Sequence, residues 1–473
     1  MNRRKFLGNM SWITGGLAFA NALPASAFAL EGNLCKGFVR SGGKPVKDVV
    51  VSDGFSVVAT DNKGAFSFEW NPNAVAVFLS TPSGYAFKQE KNISRHYRLV
   101  QDVAGQEVLF DLVPLGKDDN EHEFIIWADP QVKNMKDVQL MMTQSVPDVQ
   151  RWLSTRKNTD LIHGICVGDI VWDNHSLFPE YEKAVAQMNI PFFQCLGNHD
   201  MDYNKGGDES SDDTFQQLYG PCDYSFNRGK VHYVVMDNVR YMGKDRDYDG
   251  FFQDQQLAWL KKDLSYVPAD YLIILCVHIP VHSGVKNKKA LYEILGDRKV
   301  HIMSGHTHYH LNKITGNIFE HNHGTVCGAW WTGSICVDGT PNGYGIYKVK
   351  GNDLSWFYKA VGQDNDYQMS LNIAKTDDGL KQLVANIWNF DPSWRQEYVV
   401  NGETKGALEQ FTGFDPVAYA NFIGPDLPKT RGFAEPHQTN HLFKAVLPAD
   451  AREVVVKVTD RFGKIYTATQ YIS

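Results

Sequence analysis

Five short polar clusters in this chain carry the residue types that bind divalent metal ions. They are Asp129-Pro130-Gln131, Gly168-Asp169-Ile170-Val171-Trp172-Asp173, Gly197-Asn198-His199-Asp200, the isolated His278, and Gly305-His306-Thr307-His308. Carboxylate, imidazole and amide oxygen in one set suit intermediate divalent ions such as Mn, Fe or Zn, and do not suit Ca or Mg alone. The set contains no thiolate, which fits an oxidising compartment. Any single cluster has a plainer explanation, because Asp, Asn, Gly and His all favour turns and strand ends. Five clusters in one topological position are hard to assign to turn chemistry.

That position is set by the elements before them. Residues 124–128, 161–167, 192–196, 272–277 and 300–303 are apolar runs, as expected of strands buried on both faces. Each runs straight into one of the clusters, and ligands in α/β sheets bind at the carboxyl ends of strands. Helical patterns at 137–156, 179–188, 255–264 and 288–295 separate most of the runs, which implies an α/β layer fold. Residues 224–237 read instead as a β-hairpin turning at Asn227-Arg228-Gly229-Lys230, so a mixed sheet is expected.

In this order, Asp-x-Gln, Gly-Asp, Gly-Asn-His-Asp, a lone His and Gly-His-x-His resemble the motifs of the calcineurin-like metallophosphoesterases, over residues 121–308. The flanking regions resemble the extra β domains of one bacterial subgroup, as do 227–233 and Gly328-Ala329-Trp330-Trp331-Thr332-Gly333. The resemblance implies an α/β (α+β) multidomain protein with a central β-sandwich flanked by helices, a small N-terminal β-sandwich and a C-terminal β-rich domain. It implies two divalent transition metal ions. One would be held by Asp129, Gln131, Asp169 and His308, the other by Asp169, Asn198, His278 and His306, with Asp169 bridging. Two such ions bind a phosphate between them and lower the pKa of a bridging water, whose hydroxide attacks phosphorus in line with the leaving oxygen. His199 resembles the family histidine that serves the leaving group. Asp173 and Asp200 are expected to hold loops and orient His199 or other ligands. Gln131 departs from the pattern, standing where many members have His. Either its amide oxygen is a ligand, poorer than imidazole, or it only hydrogen-bonds a metal-bound water.

Residues 31–115 show short alternating strands between turn residues, as in a small β-sandwich, and resemble carboxypeptidase-regulatory or transthyretin-like modules. The metallophosphoesterase domain is expected over 121–362. From 363 to 473 the chain is strand-rich again, ending in an alternating pattern around Asp460-Arg461-Phe462-Gly463. His163 and His232 lie inside strand patterns and read as core or edge residues, whereas His321 and His323 read as surface. His175 lies within reach of the pocket rim. Of the adjacent Trp330 and Trp331, at most one can face a pocket, because neighbours on a strand point to opposite faces.

Residues 1–29 read as an address rather than structure. Arg3, Arg4 and Lys5 form a positive start, 12–23 is short and apolar, and Ala25-Ser26-Ala27 and Ala27-Phe28-Ala29 offer cleavage sites. The stretch is too short for a good membrane span. Arg3-Arg4-Lys5-Phe6-Leu7 resembles a twin-arginine signal, with a plain secretory start as the alternative. The expected location is periplasmic or extracellular. Seven cysteines are too sparse for a disulfide scaffold, and Cys166, Cys195 and Cys276 read as buried hydrophobes. A disulfide among Cys35, Cys222, Cys327 and Cys336 stays open.

With 473 residues, 43% hydrophobic and 21% charged, the composition is that of a globular protein. A net charge of -7 with no basic stripe argues against holding long nucleic acid. The expected partner is a small or medium-sized phosphorylated substrate. Three functions compete: an exported phosphomonoesterase or phosphodiesterase, a non-catalytic metal-containing protein whose β domains bind glycan or partner, and a nuclease. The complete ligand set with His199 disfavours the second, and the charge disfavours the third.

Overall fold

The computed structural model describes residues 34–330, 332–376, 378–425, 427 and 434–472; the expected export signal and Trp331 lie outside them. Alternation inside the buried strands sets the central architecture. In Glu121–Trp127, Phe124 and Ile126 enter one apolar core while Ile125 and Trp127 enter another, all fully buried. A strand with two apolar faces must be covered on both. One face meets a second sheet, through stacks such as Phe193 on Phe226 at 3.8 Å. The other meets the helices Val146–Ser154 and Phe178–Met188, which supply Val149, Trp152, Tyr181 and Val185.

The first sheet runs Asp353–Ala360, Gly343–Lys350, Glu121–Trp127, Ile162–Cys166, Phe192–Gln194, Ile93–Ser94, Gln89–Glu90. Its three central strands are parallel, so their carboxyl ends share one edge. The second runs Tyr224–Arg228, Val231–Val235, Leu272–Cys276, Val300–Ser304, Ile318–Asn322, Leu311–Thr315, with Leu272–Cys276 and Val300–Ser304 parallel. Asp254–Leu264 and Lys288–Leu295 pack on it through Trp259, Leu260, Leu291 and Leu295. Two mixed sheets thus form a sandwich between helices. The helix expected at 137–156 is interrupted by a π turn at Met141–Ser145, just before Pro147, which has no N–H to continue the regular ladder.

On either side lie small β-sandwiches. The N-terminal one faces Val39, Phe66 and Phe68 against Val51, Val77 and Leu79. The C-terminal one faces Leu383, Ala385 and Phe443 against Val454, Val456 and Val458. The N-terminal region also lends Ile93–Ser94 to the edge of the first central sheet, an extension its turn-rich sequence did not announce. It docks on the 227–230 turn, where Asn227 N–H donates to the Thr81 carbonyl (2.8 Å) and the buried Arg228 guanidinium sits 4.1 Å from the Phe87 ring centre.

His321 and His323 are fully buried, contrary to the surface position expected of them. Ile318–Asn322 lies inside the sheet, and Tyr347 and Trp356 of the facing sheet cover the His321 ring. His321 Nε2 lies 2.8 Å from His301 Nδ1, and His323 Nε2 lies 2.7 Å from the Tyr347 hydroxyl. All seven cysteines are buried and free, so the disulfide left open is not formed. Among the described residues no helix is long and apolar enough to cross a membrane.

Candidate metal centre

The five polar clusters meet at the shared edge of the two sheets. Asp169, directly after Ile162–Cys166 and Gly168, is the hub. Its Oδ1 lies 3.3 Å from His278 Nε2, and its Oδ2 accepts a hydrogen bond from Gln131 Nε2 at 3.1 Å. Around His278 Nε2 also gather Asn198 Oδ1 at 3.0 Å and His306 Nδ1 at 3.2 Å. On the other side of Asp169, His308 Nε2 lies 3.5 Å from Asp129 Oδ1. Asp169, His278 and His306 form one group with ligand atoms within 4.8 Å of one another; Asp129, Asp169 and His308 form a second, and Asp169 belongs to both.

The local backbone is built to bring these groups together. Asp129, Gln131, Asp169, Asp173, His306 and His308 all have positive φ, between 43° and 72°. Left-handed conformations in side-chain-bearing residues are costly and persist where the surroundings enforce them, often at functional sites. Two glycines allow the close approach. A Cβ at Gly197 would lie 2.0 Å from Asp169 N, and one at Gly305 would lie 2.4 Å from Asp129 Oδ2. Backbone donors then fix the carboxylates: His199 N–H donates to Asp169 Oδ1 (2.9 Å), and His306 N–H donates to both Asp129 oxygens (3.1 and 3.0 Å). Asp200, fully buried, accepts from the N–H groups of Ile170, Val171 and Gly197 and so staples two site loops together. Burial and the nearby Asp169 push its pKa up to about 7.

Burial opposes a charge on Asp169, but His278 and His199 outweigh it and hold the carboxyl well below its usual range. Burial likewise opposes a charge on His278, yet Asp169 raises it to about 9. His306 has no such net support, and burial followed by the His278 charge lowers it to about 4. His278 Nδ1 donates to the Val167 carbonyl at 2.8 Å, which leaves Nε2 directed at the cluster.

The residues fit two ions. The donors are two carboxylates, three imidazoles and two amide oxygens, and one of these is otherwise unsatisfied. Gln131 Oε1 is buried with no hydrogen-bond partner while its Nε2 is engaged by Asp169. A buried acceptor is rarely left unpaired, and a cation between Asp129 and His308 would give it a partner.

His199 sits beside the cluster with Nδ1 2.8 Å from Asp173 Oδ1. Burial lowers its pKa, but Asp169 and the bond to Asp173 outweigh it, and the net shift is upward. Sequence reasoning missed Arg246, whose guanidinium bonds the other Asp173 oxygen, and Tyr248, whose ring lies 6.0 Å from that of His306. Both come from the charged stretch Lys244-Asp245-Arg246-Asp247-Tyr248-Asp249, which reads as an ordinary solvated turn. Lys133 lies 4.7 Å over the Trp172 ring, itself 5.2 Å from the ring of His199. His175 pairs with Asp202 and rests on Phe178, and Trp330 is buried in the core.

Residues 124–310 match the family model for the calcineurin-like phosphoesterase domain, 33–115 that for the N terminal of calcineurin-like phosphoesterase, and 320–466 that for its C terminal. No curated protein sequence matches the chain. Among solved structures, a dimetal phosphatase from Danio rerio is 14% identical, covering 50% of this chain and 96% of its own, with a TM-score of 0.37. A purple acid phosphatase from yellow lupin is 12% identical, covering 66% and 67%, with a TM-score of 0.39. A 5'-nucleotidase from Candida albicans is 11% identical, covering 51% of each chain, with a TM-score of 0.31. The chain belongs to the calcineurin-like phosphoesterases, metal-dependent phosphoric ester hydrolases that use two divalent ions, in the form that carries the family's own N- and C-terminal domains.

Proposed function

We propose that the protein is an exported hydrolase of small or medium-sized phosphomonoesters or phosphodiesters, working at the site around Asp169. The observation that carries this is the pair of donor groups sharing Asp169, with a carboxylate-anchored His199 beside them. In this reading Asp129, Gln131, Asp169 and His308 hold the first ion, and Asp169, Asn198, His278 and His306 the second. When bound, the two ions supply the positive charge that orients the phosphate and activates the attacking water.

The protein's own groups do the rest. Asp173 accepts from His199 Nδ1, which directs Nε2 away from the anchoring carboxylate and toward the ester. The bond to Asp173 favours the protonated ring, against burial. As the bond from phosphorus to the leaving oxygen breaks, His199 gives that oxygen its proton. Arg246, on the far oxygen of Asp173, fixes the carboxylate that fixes the histidine. The absence of a basic stripe at a net charge of -7 favours small esters over long nucleic acid.

Metal analysis of the purified protein followed by a panel of mono- and diesters tests the reading. About two equivalents of divalent ion and turnover of at least one small ester class are expected. Cleavage confined to long nucleic acid, or none with both ions bound, would overturn it. The address is tested on the same protein. Material recovered from the periplasm or medium should begin near Phe28 or Leu30, following the two cleavage sites, and retention of residues 1–29 would end the export reading.

A further inference from the structure

The loop carrying His306 and His308 joins Val300–Ser304 to Leu311–Thr315, and two of its main-chain bonds come from the segment at 337–338. Val337 N–H donates to the His308 carbonyl at 3.0 Å, and His310 N–H donates to Asp338 Oδ2 at 2.8 Å. Asp338 has 0% exposure. The same Oδ2 accepts from Thr340 Oγ1 and from His441 Nε2, both at 2.9 Å, while Oδ1 accepts from Thr340 N–H at 3.0 Å.

His441 belongs to Thr439–Val446, a strand of the C-terminal sandwich. Its Nδ1 lies 2.8 Å from Asn386 Oδ1, and Asn386 Nδ2 donates to the Asp338 carbonyl at 3.0 Å. His437 N–H donates to the Val337 carbonyl at 2.8 Å, and its ring stacks on Tyr309 at 4.5 Å and 17°. Residues 337 and 338 therefore bond the His308 loop on one side and the C-terminal domain on the other. A buried carboxylate with this many donors has few alternative placements, so it fixes what it holds.

We propose that His441 is a positioning residue for the first metal site, acting through Asp338 on the backbone of His308 to His310. The C-terminal domain then sets how firmly one ion is kept, although it contributes no ligand. This rests on His308 being a ligand, as in the function proposed above. Partners outside the ligand sphere of a metal site typically change affinity by about 10–100-fold when removed.

The test follows Mn retention under graded chelator in the full chain, read as ions per protein by mass spectrometry. His308→Ala serves as the control for the underlying reading: it should lose one ion, and retention of both there would overturn the ligand assignment itself. With that control in place, His441→Ala should release one ion at about 10–100-fold lower chelator while the second stays as in wild type. His441→Gln, whose amide N–H can reach Asp338, should restore most of the retention. Asp338→Asn, nearly isosteric, should weaken the same ion and gives a second reading should the alanine variant fail to fold. Equal weakening of both ions, unchanged retention in the alanine and asparagine variants, or no rescue by glutamine would overturn the proposal.

Discussion

The molecule buries two groups of histidines, and their environments differ in the one respect that matters for metal. His278, His306 and His308 face Asp129 and Asp169; the carboxylates hold His278 up at about 9 against burial, although burial and the His278 charge still lower His306 to about 4. His301, His321 and His323 are buried as deeply, but burial dominates there and lowers His301 to about 3 and His323 to about 4. After burial, the charges that bear on His321 are other histidines and Arg461, all of one sign. The first group sits on loops with left-handed residues and leaves Gln131 Oε1 without a partner. The second sits on or beside regular strands and bonds largely within itself, to Tyr347 and to the Ser304 carbonyl, with His321 Nδ1 also left unpaired. Histidine number and burial are therefore poor guides to a metal centre. Converging carboxylates and an enforced backbone are better ones.

The sharpest way to break this contrast is to damage each group in turn. Asp169→Asn removes the charge shared by both ions, so hydrolysis should fall below detection while circular dichroism shows the flanking β domains still folded. His321→Leu should leave metal content and turnover intact and cost about 1–3 kcal/mol of stability, because His301 Nδ1 loses its partner in the interior. Near-normal turnover in the first variant would end the two-ion mechanism. Metal loss in the second would erase the distinction between the groups.

A smaller effect separates chemistry from metal binding within the first group. His199→Ala should keep its metal and lose on the order of 10²–10⁴-fold in rate, the usual scale for a general acid. The loss should shrink for esters with good leaving groups, which need little protonation. The same loss for every leaving group would assign His199 to orientation instead.

The contrast also explains what the sequence could and could not disclose. Each site cluster follows an apolar strand directly, so period, position and residue type all point the same way, and strand and cluster are readable from the chain. His321 and His323 defeat that reading because Ile318–Asn322 carries only two apolar residues, and their burial comes from Tyr347 and Trp356 of the facing sheet. Arg246 is hidden for a related reason: its contact with Asp173 spans 73 residues and comes from the turn between Val239–Tyr241 and Tyr248–Gly250. The 227–230 turn and Ala329, both in segments that resemble the bacterial subgroup, are contact points. The first receives the N-terminal module, and Ala329 packs with Ala418 and Phe422 of the C-terminal region.

The finest test concerns Gln131, a neutral amide among carboxylates and imidazoles. If Oε1 is a ligand, the first site holds its ion partly through a neutral amide oxygen, a poorer donor than imidazole, so it should be the weaker site and the first emptied by chelator. Gln131→His should then tighten that site on the order of tenfold, the lower end of what changes around a metal produce, and shift selectivity toward Zn or Fe. The left-handed backbone at this position, with φ of 43°, is among those histidine tolerates better than most residues. The substitution has an opposing term as well. Gln131 Nε2 now donates to Asp169 Oδ2, and a ligating imidazole would withdraw that donor from the shared carboxylate. If Gln131 merely positions a water, only the opposing term remains, and retention should stay level or fall. Metal retention under graded chelator for wild type and Gln131→His, with activity followed in parallel, tells the two apart. Unchanged or reduced retention would remove Gln131 from the ligand set and leave Asp129, Asp169, Asn198, His278, His306 and His308 in place.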